Sequence, residues 1–106
     1  MLVVNRFRVP LDNGETFRAE LDTARAALEE RPGYVEGRIG RNLDDPTLWV
    51  LTTRWENVGA YRRALSAYDV KLKAVPLLSR ALDEPSAYEL VEPGTVLNIG
   101  STRSIG

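Results

Sequence analysis

Residues 47–55, TLWVLTTRW, constrain this chain more than any other stretch. Strict alternation sets Trp49, Leu51, Thr53 and Trp55 on one face of a strand, and Leu48, Val50, Thr52 and Arg54 on the other. Aromatic and β-branched side chains suit such a pleated surface. Apolar residues lie on both faces, so something must cover each side. Residues 2–9, LVVNRFRV, repeat the pattern, with Val3, Asn5, Phe7 and Val9 opposed to Leu2, Val4, Arg6 and Arg8. Pro10 ends that strand.

Between the two strands the period changes. Phe17, Leu21, Ala24 and Leu28 recur at helical spacing, with Arg18, Glu20, Arg25 and Glu29 on the remainder. Asp12 or Asn13 is placed to cap this helix, and Arg31-Pro32-Gly33 to stop it. Residues 34–43 read as another strand with Val35, Ile39 and Leu43 in phase, and Gly37 and Gly40 suggest a bulge or a close backbone approach. Asp44-Asp45-Pro46 is a turn, so this strand and residues 47–55 form a hairpin.

Asn57 is placed to cap a second helix, whose apolar face reads Val58, Tyr61, Leu65, Tyr68 and Leu72. Pro76 interrupts it, and Leu77, Leu78, Ala81 and Leu82 suggest a short third helix. Residues 86–91, SAYELV, read as the last strand, ended by Pro93-Gly94. The order β-α-β-β-α-(α)-β predicts an α+β fold of the ferredoxin-like, split βαβ kind, with an antiparallel sheet and its helices on one face. Residues 1–92 form the expected domain, and 93–106 an expected C-terminal tail. Helices cover only one face, so the apolar side chains on the other predict a homodimer through the sheet face.

Composition narrows the function. The chain has no histidine and no cysteine. It therefore lacks the commonest general base, the commonest metal ligand and any thiolate, and no metal site is expected. Lys+Arg is 14 against Asp+Glu 15, with no basic stripe, so no nucleic-acid partner is expected. Leu2-Val3-Val4 is broken by Asn5 and Arg6, too short for a secretory signal. No run approaches the ~20 apolar residues of a membrane span. The expectation is a cytoplasmic protein with no membrane partner, which the cysteine-free composition fits.

Several segments resemble one family. They are Val3-Val4-Asn5-Arg6, the turn Arg31-Pro32-Gly33-Tyr34, and Leu51-Thr52-Thr53-Arg54-Trp55-Glu56-Asn57 followed by Ala60-Tyr61. Over roughly residues 2–91 the chain resembles the antibiotic biosynthesis monooxygenase superfamily. That resemblance implies a dimeric α+β barrel, a C-terminal tail that reaches toward the partner subunit, and two possible chemistries. One branch oxidises aromatic polyketides to quinones with molecular oxygen and no cofactor. The other degrades haem with an asparagine on the first strand, and a tryptophan and a histidine on and just after the second helix. Asn5 matches that asparagine, but the other two positions fall near Ala64 and Ala74, and the chain has no histidine. For the quinone-forming branch, Trp55 and Tyr61 match in type and spacing. Leu51 stands at that branch's strand-three asparagine, and Val75 stands near its arginine, with Arg62, Arg63 and Arg80 as nearby alternatives.

The resemblance makes Asn5, Trp55 and Tyr61 the candidate catalytic residues, with Phe7, Trp49, Leu51 and Leu65 as candidate substrate-binding residues and no cofactor. Each also has a plain structural reading. Asn5 either bonds a neighbouring backbone group or hydrogen-bonds a ligand carbonyl or peroxide. Trp49 and Trp55 are either core or the wall of a pocket for a planar ligand. Tyr61, with a phenol near pKa 10, is a proton donor and a poor base. The expected function is cofactor-free oxidation of a small aromatic or quinol-like molecule. The alternatives are a non-catalytic ligand-binding dimer, or a structural dimer without a cavity. The first two require a cavity of roughly 300–1,000 Å³.

Overall fold

In the computed structural model, which describes residues 1–97, the strands are β1 (Leu2–Arg8), β2 (Tyr34–Arg41), β3 (Leu48–Trp55) and β4 (Ala87–Tyr88). The helices are α1 (Gly14–Glu29), α2 (Val58–Ser66), α3 (Tyr68–Lys73) and α4 (Val75–Leu78). All neighbouring strands are antiparallel in the order β2-β3-β1-β4. This is the expected ferredoxin-like α+β arrangement. The expected tail lies outside the described residues from position 98 onward.

The alternation of β1 and β3 sets the layers. Val3 pairs with Thr53, Asn5 with Leu51 and Phe7 with Trp49, so these residues share the face under the helices. All of them except Asn5 are buried. From α1, the expected residues Phe17, Leu21, Ala24 and Leu28 close over that face. Phe7 meets Phe17 edge-on at 5.2 Å, and Phe17 meets Trp49 at 5.5 Å. The opposite face of the sheet presents Leu2, Val4, Leu48 and Val50, which the helices do not cover and which stay partly exposed. There Arg54 pairs with Glu36 across β2 and β3 at 3.6 Å.

Several local expectations change. Asn13 makes no capping bond to α1; residues Leu11–Asn13 form a 3-10 turn, closed by the Asn13 N–H donating to the Pro10 carbonyl. In β2 a bulge between Tyr34 and Glu36 takes Val35 out of phase, so Val35 is exposed and Tyr34, Gly37 and Ile39 face the helices. Leu43 lies beyond β2 and is exposed. Gly37 answers a side chain rather than a backbone: a Cβ there would stand 2.1 Å from the Tyr34 hydroxyl. The last strand is only two residues long, and Leu90 and Val91 lie outside it.

The second helix departs most. Asn57 caps α2 as expected, accepting from the Ala60 N–H at 2.8 Å. Ala67 is extended (φ −70°, ψ 142°) and splits the predicted helix into α2 and α3. The buried residues are therefore Ala60, Ala64, Val70, Ala74 and Leu77, while Tyr68 and Leu72 of the predicted face are exposed. Small alanines let α2 lie close to the sheet.

Candidate functional site

The edge of β1 holds the most informative concavity. β4 pairs with β1 at Leu2 and Val3, and the Val4 N–H then donates to the Ser86 carbonyl at 2.7 Å. Continued register would bring Glu84 to Arg6. Instead the Arg6 carbonyl accepts from the Leu82 N–H at 2.8 Å, two residues further on. Asp83, Glu84 and Pro85 thus arch away between two backbone bonds that straddle Asn5. The ring of Pro85 holds φ near about −65°, short of pleated-strand values, which suits a kink there.

A cavity of about 340 Å³ lies beside Asn5, under this arch. Val4 and Asn5 form its floor, and Leu78, Ser79, Ala81 and Leu82 form its roof. Asp83, Glu84 and Ser86 complete the arch side. Among the described residues the Asn5 side chain has no hydrogen-bond partner, so its amide offers both donors and an acceptor to an occupant. The Ser79 hydroxyl donates to the Pro76 carbonyl at 2.7 Å. Glu84 is bound in a two-pronged ion pair by Arg6, Nε to Oε1 at 2.6 Å and Nη2 to Oε2 at 2.7 Å. The Arg6 hydrogen bond holds the Glu84 carboxyl below the usual carboxylate range.

Trp55 and Tyr61 are not among the walls of this cavity. Trp55 is 2% exposed and its indole N–H donates to the Thr53 hydroxyl at 2.9 Å. Its ring meets Tyr34 at 5.4 Å, nearly perpendicular, and Tyr61 at 5.6 Å. Burial raises the Tyr61 phenol above its ordinary pKa of 10.0, so it stays a neutral donor. Burial also raises Tyr34, against the opposing pull of Arg25. Of the candidate binding residues, Phe7 and Leu51 are fully enclosed in the core, and Leu65 is partly buried on α2.

Trp49 belongs to a different concavity of about 380 Å³, shared with Ile39 and Arg41. The Arg41 guanidinium lies over its indole at 5.7 Å. Of the arginines near the expected position, Arg80 pairs with Glu20 at 3.1 Å and lies over the Phe17 ring, away from Asn5. Among the described residues no group of acids is arranged to hold a metal ion. Among the described residues no helix is long and apolar enough to cross a membrane.

The sequence singled out Asn5 because it is the polar residue in an apolar phase. It gave no hint of Asp83, Ser79 or Ser86, whose positions depend on how the arch and α4 fall against β1.

Comparison with known proteins adds to this geometry. The family model described as antibiotic biosynthesis monooxygenase matches residues 1–71. No curated protein sequence matches the chain. Among solved structures, a mutant of SnoaB, a cofactor-independent oxygenase from Streptomyces nogalater, is 25% identical with a TM-score of 0.68, covering 91% of this chain and 94% of that one. SnoaB itself gives 23% identity and a TM-score of 0.71 over 89% and 96% of the two chains. Rv0793 from Mycobacterium tuberculosis gives 18% and 0.67 over 89% and 97%, a likeness of fold.

Proposed function

The chain belongs to the antibiotic biosynthesis monooxygenase family, and from that premise we propose that it oxidises a small aromatic or quinol-like molecule with O₂ and no cofactor. The observation that carries this reading is the unpartnered Asn5 amide at the floor of a cavity of about 340 Å³, a size suited to a small ligand. The likeness to SnoaB supports the cofactor-independent chemistry.

The protein's share of such a reaction is modest. A phenolic substrate that sheds a proton becomes electron-rich enough to reduce O₂ itself. When an activated methylene becomes a carbonyl, one oxygen atom enters the product and the other leaves as water with the two hydrogens. Asn5 would donate to the substrate oxygen on which negative charge develops, where a fixed dipole is worth more than mobile water. Leu78 and Leu82 would offer apolar side chains for the substrate ring to pack against. The working unit in this proposal is a cytoplasmic homodimer joined through the uncovered face with Leu2, Val4, Leu48 and Val50.

A second reading has its own support. The Trp55 indole N–H is already taken by Thr53, and Leu51 stands where quinone-forming relatives have an asparagine. Both favour a ligand-binding dimer without turnover. Oxygen uptake with a panel of anthrones and hydroquinones, on metal-stripped protein, separates the two. Catalysis predicts uptake above the spontaneous rate that falls about tenfold or more in Asn5→Ala. Saturable binding without uptake would establish the second reading, and neither signal would remove both.

A further inference from the structure

We propose that Asp83 selects the charge of the molecule bound beside Asn5, admitting neutral or cationic aromatics that carry a hydrogen-bond donor and turning away carboxylated ones. The inference rests on the reading that this cavity is the ligand site, and goes beyond it by naming the ligand class.

The argument starts from the cavity's charges. Its walls contain two carboxylates, Asp83 and Glu84, and no lysine or arginine. They are not equivalent. Both oxygens of Glu84 are held by Arg6, which neutralises that acid in place. Among the described residues Asp83 has no ion-pair or hydrogen-bond partner, so it contributes an uncompensated negative charge. At the inner end Asn5 serves a carbonyl or hydroxyl equally well, since its amide both donates and accepts. A carboxylate accepts only, so at the arch end the complementary group is a hydroxyl or an ammonium. A phenol or hydroquinone with its second hydroxyl toward the arch satisfies both ends. The same ring bearing a carboxylate would set like charges together.

Three matched, oxidation-resistant probes test this: 2-naphthol, 2-naphthylmethylamine and 2-naphthoic acid, measured by isothermal titration on the full chain at neutral pH. Asp83 is exposed, so its effect passes through solvent. The expected preference for naphthol over naphthoate is therefore a few-fold to about tenfold at low salt. Naphthylmethylammonium should bind at least as well as naphthol. In Asp83→Asn the naphthoate penalty should shrink to within about twofold while naphthol changes little, and added salt should shrink it in the wild type. Asn5→Ala should weaken all three. If naphthoate binds wild type as tightly as naphthol, and both still respond to Asn5→Ala, the selectivity assigned to Asp83 is wrong while the site stands. If none of the three responds to Asn5→Ala, the ligand site itself is elsewhere and both readings fall.

Discussion

Adding one methyl group at Gly33 should unsettle the junction between the turn before β2 and the start of α2. Gly33 has φ +89°, a conformation that costs an L residue about 1–2 kcal/mol. Its new Cβ would stand 2.4 Å from the Ala60 Cβ, whereas carbon atoms rest at about 3.5–4.0 Å. The start of α2 would therefore have to retreat by roughly an ångström or more. Ala60 is 2% exposed against the sheet, so the retreat opens the core. Overpacking of this kind costs about 1–3 kcal/mol. The Gly33 carbonyl also accepts from the Glu56 N–H at 2.8 Å, which couples the turn to the end of β3. Gly33→Ala should thus lose about 2–5 kcal/mol, a large share of the 5–15 kcal/mol typical of a folded domain. In thermal unfolding followed by circular dichroism, Tm should fall by at least about 8 °C for a chain of this size. The contact and backbone contributions separate in a double-mutant cycle. In the Ala60→Gly background the clash is gone, and Gly33→Ala should cost only the backbone share, about 1–2 kcal/mol. A Tm loss below about 3 °C in Gly33→Ala, or the same loss in both backgrounds, would refute the reasoning.

Two further expectations follow from the packing. Tyr61 and Tyr34 are held above their ordinary pKa of 10.0 by burial, so the folded chain keeps protons that the unfolded chain would release. Their contribution to stability is complete below about pH 10 and is lost as pH rises past it toward the folded values. Ultraviolet titration of tyrosinate should show a late component that Tyr61→Phe reduces; superposable curves, scaled for tyrosine number, would contradict this. The proposed homodimer predicts a dimer in sedimentation velocity at micromolar concentration, and weakened association in Val50→Glu. A wild-type monomer would show that the uncovered sheet face has another use.

What could be read from the sequence was whatever one period expresses. In β3 and α1 a single rule fixes which side chains point inward, and Trp49, Leu51, Trp55, Phe17 and Leu21 are buried accordingly. The phase of β2 was not legible, because the bulge adds one residue whose presence depends on pairing with β3. The helical spacing of Val58 through Leu72 runs unbroken across Ala67, yet extended backbone at that alanine changes which face is buried. The buried residues of α2 are the alanines Ala60 and Ala64, which carry little apolar signal of their own. For the site, Asn5 declared itself as an amide among apolar neighbours, while its companions depend on contacts between distant segments.

The arch over Asn5 has a consequence for how such a protein could diversify. Val4 and Asn5 belong to β1 and Leu78 to α4, where an added residue would shift a register or rotate a face. Residues Asp83–Pro85 lie between two fixed anchor points, the bonds at Val4 and Arg6, and take part in neither. Chain length there is free to vary while the sheet stays in register, and lengthening a surface loop carries a small entropic cost. Insertions and deletions in this one segment would therefore enlarge or narrow the chamber without rebuilding the scaffold. Such a division lets a lineage change what it accepts by altering loop length alone, leaving the amide at the floor in place.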